Sequence, residues 1–129
     1  MSHPVRVALL GLGEVGERFA EHFLEKIQED RARVEIVAVA HRNPDSPVAM
    51  GFRHSRVPVF EDAMEVVSLG PRVDGIFDLT GDPDVRRNLR EALQASHNRH
   101  TVIAPEVVAH LLWNFFGEGE LPYSARTGY

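Results

Sequence analysis

The chain contains no cysteine, and of its 14 basic residues only Lys26 is a lysine. The first absence excludes disulfides, thiolate metal centres and cysteine nucleophiles. The second leaves a single candidate for any chemistry that runs through a lysine amine. Long apolar runs are missing too: Val34 to Ala40 and Val107 to Phe116 are interrupted by Glu35, His110 and Asn114, well short of the ~20 apolar residues of a membrane helix. Met1 to Pro4 leads directly into Val5-Arg6-Val7-Ala8-Leu9-Leu10 without the pattern of a secretory leader, so the expectation is a cytoplasmic protein. Positive charge is not in excess. The 19 acidic residues outnumber the basic ones and leave a formal net charge of −5, which argues against a nucleic-acid surface.

What is present suits one domain. A length of 129 residues with 43% hydrophobic and 26% charged composition supports one core and is too short for two domains of ordinary size. Val5 to Leu10 is an apolar, β-branched-rich run that suits a strand buried on both faces of a parallel sheet. From Glu14 to Gln28 the period changes: Val15, Phe19, Phe23 and Ile27 form an apolar stripe, while Glu17, Arg18, Glu21, Glu25 and Lys26 cover the other face of an amphipathic helix. Val34 to Ala40 reads as the second strand, Arg42 to Val57 as a long connection, and Val57 to Phe60 as a short edge strand because of Pro58. A short helix over Glu61 to Leu69, ended by Gly70-Pro71, precedes a buried strand from Val73 to Leu79. Asp82-Pro83 caps a helix to about Ser96, Thr101 to Ala104 is the last strand, and Glu106 to Phe116 the last helix. This alternation predicts an α/β fold of the Rossmann type, a single domain with a doubly wound, mostly parallel sheet and helices on both faces. It spans residues 1–116, with 117–129 as a C-terminal tail.

Such a sheet binds ligands in the crevice beyond the carboxyl ends of its strands. Gly11-Leu12-Gly13-Glu14-Val15-Gly16 stands at the first of these ends and fits G-x-G-x-x-G, between a buried strand and an amphipathic helix. Gly11 permits the tight turn, Gly13 the approach of backbone to a pyrophosphate, and Gly16 the packing of helix on strand. The phosphates would meet the free N–H groups at the positive end of the helix. The alternative is a βα turn that binds nothing. At the end of the second strand stand His41, Arg42 and Asn43 rather than the acidic residue that selects NAD, and an arginine there can fork onto a 2′-phosphate. The expectation is therefore NADP or NAD, with NADP preferred. Thr80 and Gly81, after the fourth strand, would face the nicotinamide ribose, and Ala104 and Pro105, after the fifth, would complete that end.

With these residues assembled, the chain resembles a known family. VALLGLGEVG at Val7 to Gly16, VDGIFDLTG at Val73 to Gly81 and HTVIAPEVV at His100 to Val108 are similar to the N-terminal NAD(P)-binding domain of homoserine dehydrogenase and its relatives, among them aspartate dehydrogenase. The resemblance implies a Rossmann fold and, in complete members, oxidation of homoserine to aspartate semialdehyde. It also implies a separate substrate-binding and dimerisation domain after this one, and an Asn-Lys pair after the last strand with its lysine near the reacting carbinol. Here Pro105-Glu106 stands in that place, and only 13 residues follow Phe116. The expectation is a dinucleotide-binding half that is not catalytically complete alone, with catalytic residues unknown. The alternative is a non-enzymatic nucleotide-sensing or regulatory module acting through the last helix and tail, with a catalytic or signalling partner chain.

Other constellations are weaker. His97 with His100, and Glu106 with His110, do not make a three-ligand zinc pattern, so the histidines are expected at the surface and no metal is expected. No G-x-S-x-G elbow occurs, nor the Gly-Lys-Ser/Thr of a Walker loop. Leu111, Leu112, Trp113, Phe115 and Phe116 crowd the last helix with apolar groups that one face cannot bury, which suggests a homodimer through this helix and the tail.

Overall fold

In the computed structural model the described residues are 4–11, 14–29, 33–43 and 45–116. They form β1 (Val5–Leu10), α1 (Glu14–Gln28), β2 (Val34–Ala40), α2 (Pro47–His54), β3 (Val59–Phe60), a 3-10 segment (Ala63–Arg72), β4 (Gly75–Asp78), α3 (Pro83–Ala95), β5 (Val102–Pro105) and α4 (Glu106–Phe116). The five strands make one parallel sheet in the order β3-β2-β1-β4-β5. This is the α/β Rossmann-like arrangement that the sequence predicts, with β3 and β5 at its edges.

Alternation along β1 explains why both faces are covered. Val7 and Leu9 join Phe19 and Phe23 of α1, Phe52 of α2, Phe77 of β4 and Ala109 and Trp113 of α4 in one core. Ala8 and Leu10 join Val66 of the 3-10 segment, Ile76 and Leu89 of α3 in the other. On the α1 face three phenylalanine rings pack together, Phe19 tilted against Phe23 at 5.2 Å and against Phe77 at 5.6 Å, and Phe23 edge-on to Phe77 at 6.0 Å between centroids. Each buried side chain of this size contributes roughly 1.5–3 kcal/mol. The pairing of β1 with β2 slips by one residue: Val7 stands opposite Ile36 but Ala8 opposite Ala38. Val37 is the extra residue of a β-bulge, and Val37 and Ala38 both lie against the α3 face.

One expectation is corrected. The stretch from Arg42 to Val57 is not an uninterrupted connection, because it contains α2. Ser46 caps this helix, its Oγ accepting from the Ala49 N–H at 3.1 Å, and Pro47 occupies the first turn, where no amide donor is needed. The helix ends with Arg56 N–H donating to Arg53 O at 2.9 Å and Val57 N–H to Phe52 O at 2.9 Å, the Schellman pattern, with Arg56 at φ +65°. Between β3 and β4 the short helix that the sequence predicts is of the 3-10 type; it breaks at Gly70, φ +63°, as expected, and a second short turn runs to Arg72. Val66, before the break, is buried in the core, and after it the chain leads into β4.

The amino end of the sheet is tied by charge. Asp74 accepts from the Arg6 backbone N–H at 2.8 Å and from Arg6 Nη2 at 3.1 Å, and also meets His100 Nε2. The Arg6 side chain, then its backbone N–H, then His100 hold the Asp74 carboxyl well below the usual carboxylate range, and Arg6 is raised in turn.

Candidate functional site at the carboxyl ends of the strands

β1, the central strand, ends at Leu10, and α1 begins at Glu14, so the helix N-terminus follows the strand end within a few residues. Gly11 has φ +80°, and a Cβ built on it would lie 2.7 Å from both Cα and N of Thr80. The ends of β1 and β4 therefore touch backbone to backbone, an approach open only to glycine. Hydrogen bonds extend the ladders into this region: Leu79 N–H donates to Leu10 O at 2.9 Å and Gly11 N–H to Ala40 O at 3.0 Å.

Thr80 is fixed rather than free. Its hydroxyl donates to Asp78 Oδ1 at 2.6 Å, its N–H donates to the same oxygen at 3.1 Å, and its Oγ1 accepts from the Asp82 N–H at 3.2 Å. Asp78 is 3% exposed, so this carboxylate organises the turn from inside. Its role is missed by a sequence reading that assigns the contacts to Thr80. The D-x-T spacing, an Asx turn, is the signal that carries it. Gly81 follows, buried, at φ +69°. Pro105 pairs with Asp78 and Ala104 with Phe77, so Ala104-Pro105 closes β5 beside the end of β4, from which Thr80-Gly81 continues two residues on.

Across the sheet, the end of β2 presents His41, half-buried, and Arg42 and Asn43, both exposed. The Asn43 N–H donates to His41 Nδ1 at 2.8 Å, so Nδ1 carries the lone pair and Nε2–H donates to Glu17 Oε1 at 3.3 Å. Glu17, on the face of α1 that its periodicity marks as solvated, thus reaches the end of β2. Leu12 and Gly13 lie outside the described residues, and Glu14, Val15 and Gly16 form the first turn of α1.

The surface-histidine expectation holds for His97 and His100, which are exposed, but fails for His110. His110 is 8% exposed and stands beside Glu106, 2% exposed, with Nε2 3.4 Å from Oε1. One turn of α4 separates the two, and both are buried. Among the described residues no group of three potential metal ligands occurs, and no helix is long and apolar enough to cross a membrane.

No protein-family model and no curated protein matches the chain. Solved structures do. A homoserine dehydrogenase from Thiobacillus denitrificans matches 78% of the chain at 27% identity and a TM-score of 0.53. The fold is shared with the homoserine dehydrogenases. One from S. aureus matches 92% of the chain at 20% identity and a TM-score of 0.55, and GenD2 from gentamicin A biosynthesis, in complex with NAD, matches 81% at 20% identity and 0.52. The chain spans 23% of the Thiobacillus homoserine dehydrogenase, 31% of the S. aureus one and 34% of GenD2, so the likeness is to a part of those proteins.

Proposed function

We propose that this chain is a nicotinamide-dinucleotide-binding domain, the counterpart of the cofactor-binding part of homoserine dehydrogenase. The observation that carries the reading is the side-chain-free contact of Gly11 with Thr80, in the turn that leads from β1 into α1. Pyrophosphate would lie over Gly11, Leu12, Gly13, Glu14, Val15 and Gly16, held by amides at the positive end of the helix. His41, Arg42 and Asn43 would take the adenosine ribose, and Thr80, Gly81, Ala104 and Pro105 would flank the nicotinamide. Thr80 has its only hydroxyl proton on Asp78, so toward a ligand it offers a lone pair and a fixed shape. A bound dinucleotide would supply the hydride chemistry.

NADP is preferred because Arg42 is exposed at the ribose position with no acidic residue on the strand end itself. NAD is the second reading, favoured by Glu17, which the His41 contact brings to the same corner and whose carboxylate would repel a 2′-phosphate. Homoserine oxidation by this chain alone is not part of the proposal, since buried Glu106 stands where the family carries its lysine. A regulatory role through α4 is supported by the exposed apolar pair Val107 and Leu111, one turn apart, and the same pair supports a homodimer. Titration with NADPH and NADH by fluorescence tests the reading. Saturable binding that Gly13→Val abolishes is expected, and no saturable binding of either nucleotide refutes it.

A further inference from the structure

The other end of the sheet carries a second concavity. Between the end of the 3-10 segment and the turn after α3 lies a cleft of about 760 Å3, a size that suits a small metabolite. It opens at the amino ends of β4 and β5. Six residues of extended chain separate Asp74 from Thr80, so it lies roughly 20 Å from the glycine turn. Its polar lining is Ser68, Ser96, His97, Asn98, Arg99 and His100, with no acidic side chain among the lining residues. In a chain of net charge −5 this is a locally inverted charge pattern.

The groups around it are arranged for an anion. Asp74, the acid that meets His100, is already balanced by Arg6. A carboxylate only accepts, so His100 Nε2 carries hydrogen toward Asp74, and the ring is held at the edge of the cleft. Among the described residues no hydrogen bond or ion pair engages the Arg99 guanidinium. His97 sits at φ +58°, where His97 N–H donates to Gln94 O at 3.1 Å and Asn98 N–H to Leu93 O at 2.9 Å. This is the Schellman position that glycine fills best, yet the sequence holds an imidazole there, and that imidazole lines the cleft.

We propose that this cleft binds a small dianion of the phosphate-monoester class, with Arg99 forking onto its oxygens and His97 and His100 donating from either side. The site is independent of the dinucleotide crevice. NMR of the full chain, titrated with inorganic phosphate at ionic strength held constant with chloride, tests it. Saturable shifts are expected at Ser68 and from Ser96 to His100. Arg99→Ala should weaken binding at least tenfold. His97→Gly should raise Tm by a few degrees, because glycine relieves the backbone, while still weakening phosphate several-fold, a split that a purely structural His97 would not give. Linear shifts, equal shifts with chloride, or an affinity unchanged by Arg99→Ala would overturn the proposal. So would shifts confined to Gly11–Gly16, an outcome that leaves the dinucleotide reading intact.

Discussion

Gly11→Ala is the most demanding test of the strand-end architecture. The new Cβ would lie 2.7 Å from Cα and N of Thr80, against an optimal carbon contact of about 3.5–4.0 Å. The two chain segments must therefore separate by roughly 0.8 Å. They are tied together by the Leu79 to Leu10 hydrogen bond and by the Asp78 carboxylate holding Thr80, so no side chain can swing aside to relieve the overlap. Overpacking of this kind costs about 1–3 kcal/mol, and an L-residue at φ +80° costs about a further 1–2 kcal/mol. A total of roughly 2–5 kcal/mol is a large fraction of the 5–15 kcal/mol of a typical domain. Urea unfolding, followed by fluorescence of buried Trp113, should show the midpoint falling by about 1–3 M with the slope unchanged. Gly51→Ala is the matched control, since its Cβ meets nothing within 4 Å and it lies in α2; it should raise stability by about 0.5–1 kcal/mol. If Gly11→Ala unfolds within about 0.5 kcal/mol of the unmodified chain, the close approach of β1 and β4 is wrong.

Three further outcomes are expected. Arg56→Gly, at the Schellman position closing α2, should stabilise by about 0.5–1 kcal/mol in the same urea assay, as glycine escapes the left-handed penalty; a loss of stability would contradict the φ assignment. Asp74→Asn should lower Tm at neutral pH and flatten the acid limb of stability. The Asp74 pKa is depressed in the folded chain, so its contribution is present above the unfolded value and is lost as pH falls through the folded one; an acid limb identical in the variant would refute this. Arg42→Ala should weaken NADPH at least tenfold and NADH little, measured by fluorescence titration, and equal loss for both would remove the argument for NADP.

The strands were legible because a doubly covered parallel sheet demands nearly continuous apolar runs, and such runs alternate here with helical periodicity. α2 was not, because Arg53, His54, Ser55 and Arg56 make its end look like a solvated loop. Ser46-Pro47 ahead of Val48, Ala49 and Phe52 was the readable sign. In the crevice, glycine positions are legible because only backbone conformation is at stake. Glu17 with His41, and Glu106 with His110, depend on which face a residue meets after packing, and periodicity assigned Glu17 to solvent.

The bulge at Val37 governs more than pairing. Before it, Ile36 faces α1; after it, Val39 does, so the side-chain parity of β2 is reversed along its second half. Continued one step beyond the strand, that reversed parity turns His41 toward α1 and onto Glu17. In an unbulged β2 the same histidine would point to the α3 side, and Glu17 would face open solvent. A single inserted residue within the sheet thus acts as a phase shift that selects which side chains stand at the end of β2, the corner proposed for the adenosine ribose. Deleting Val37 would rewrite that corner without touching one of its residues.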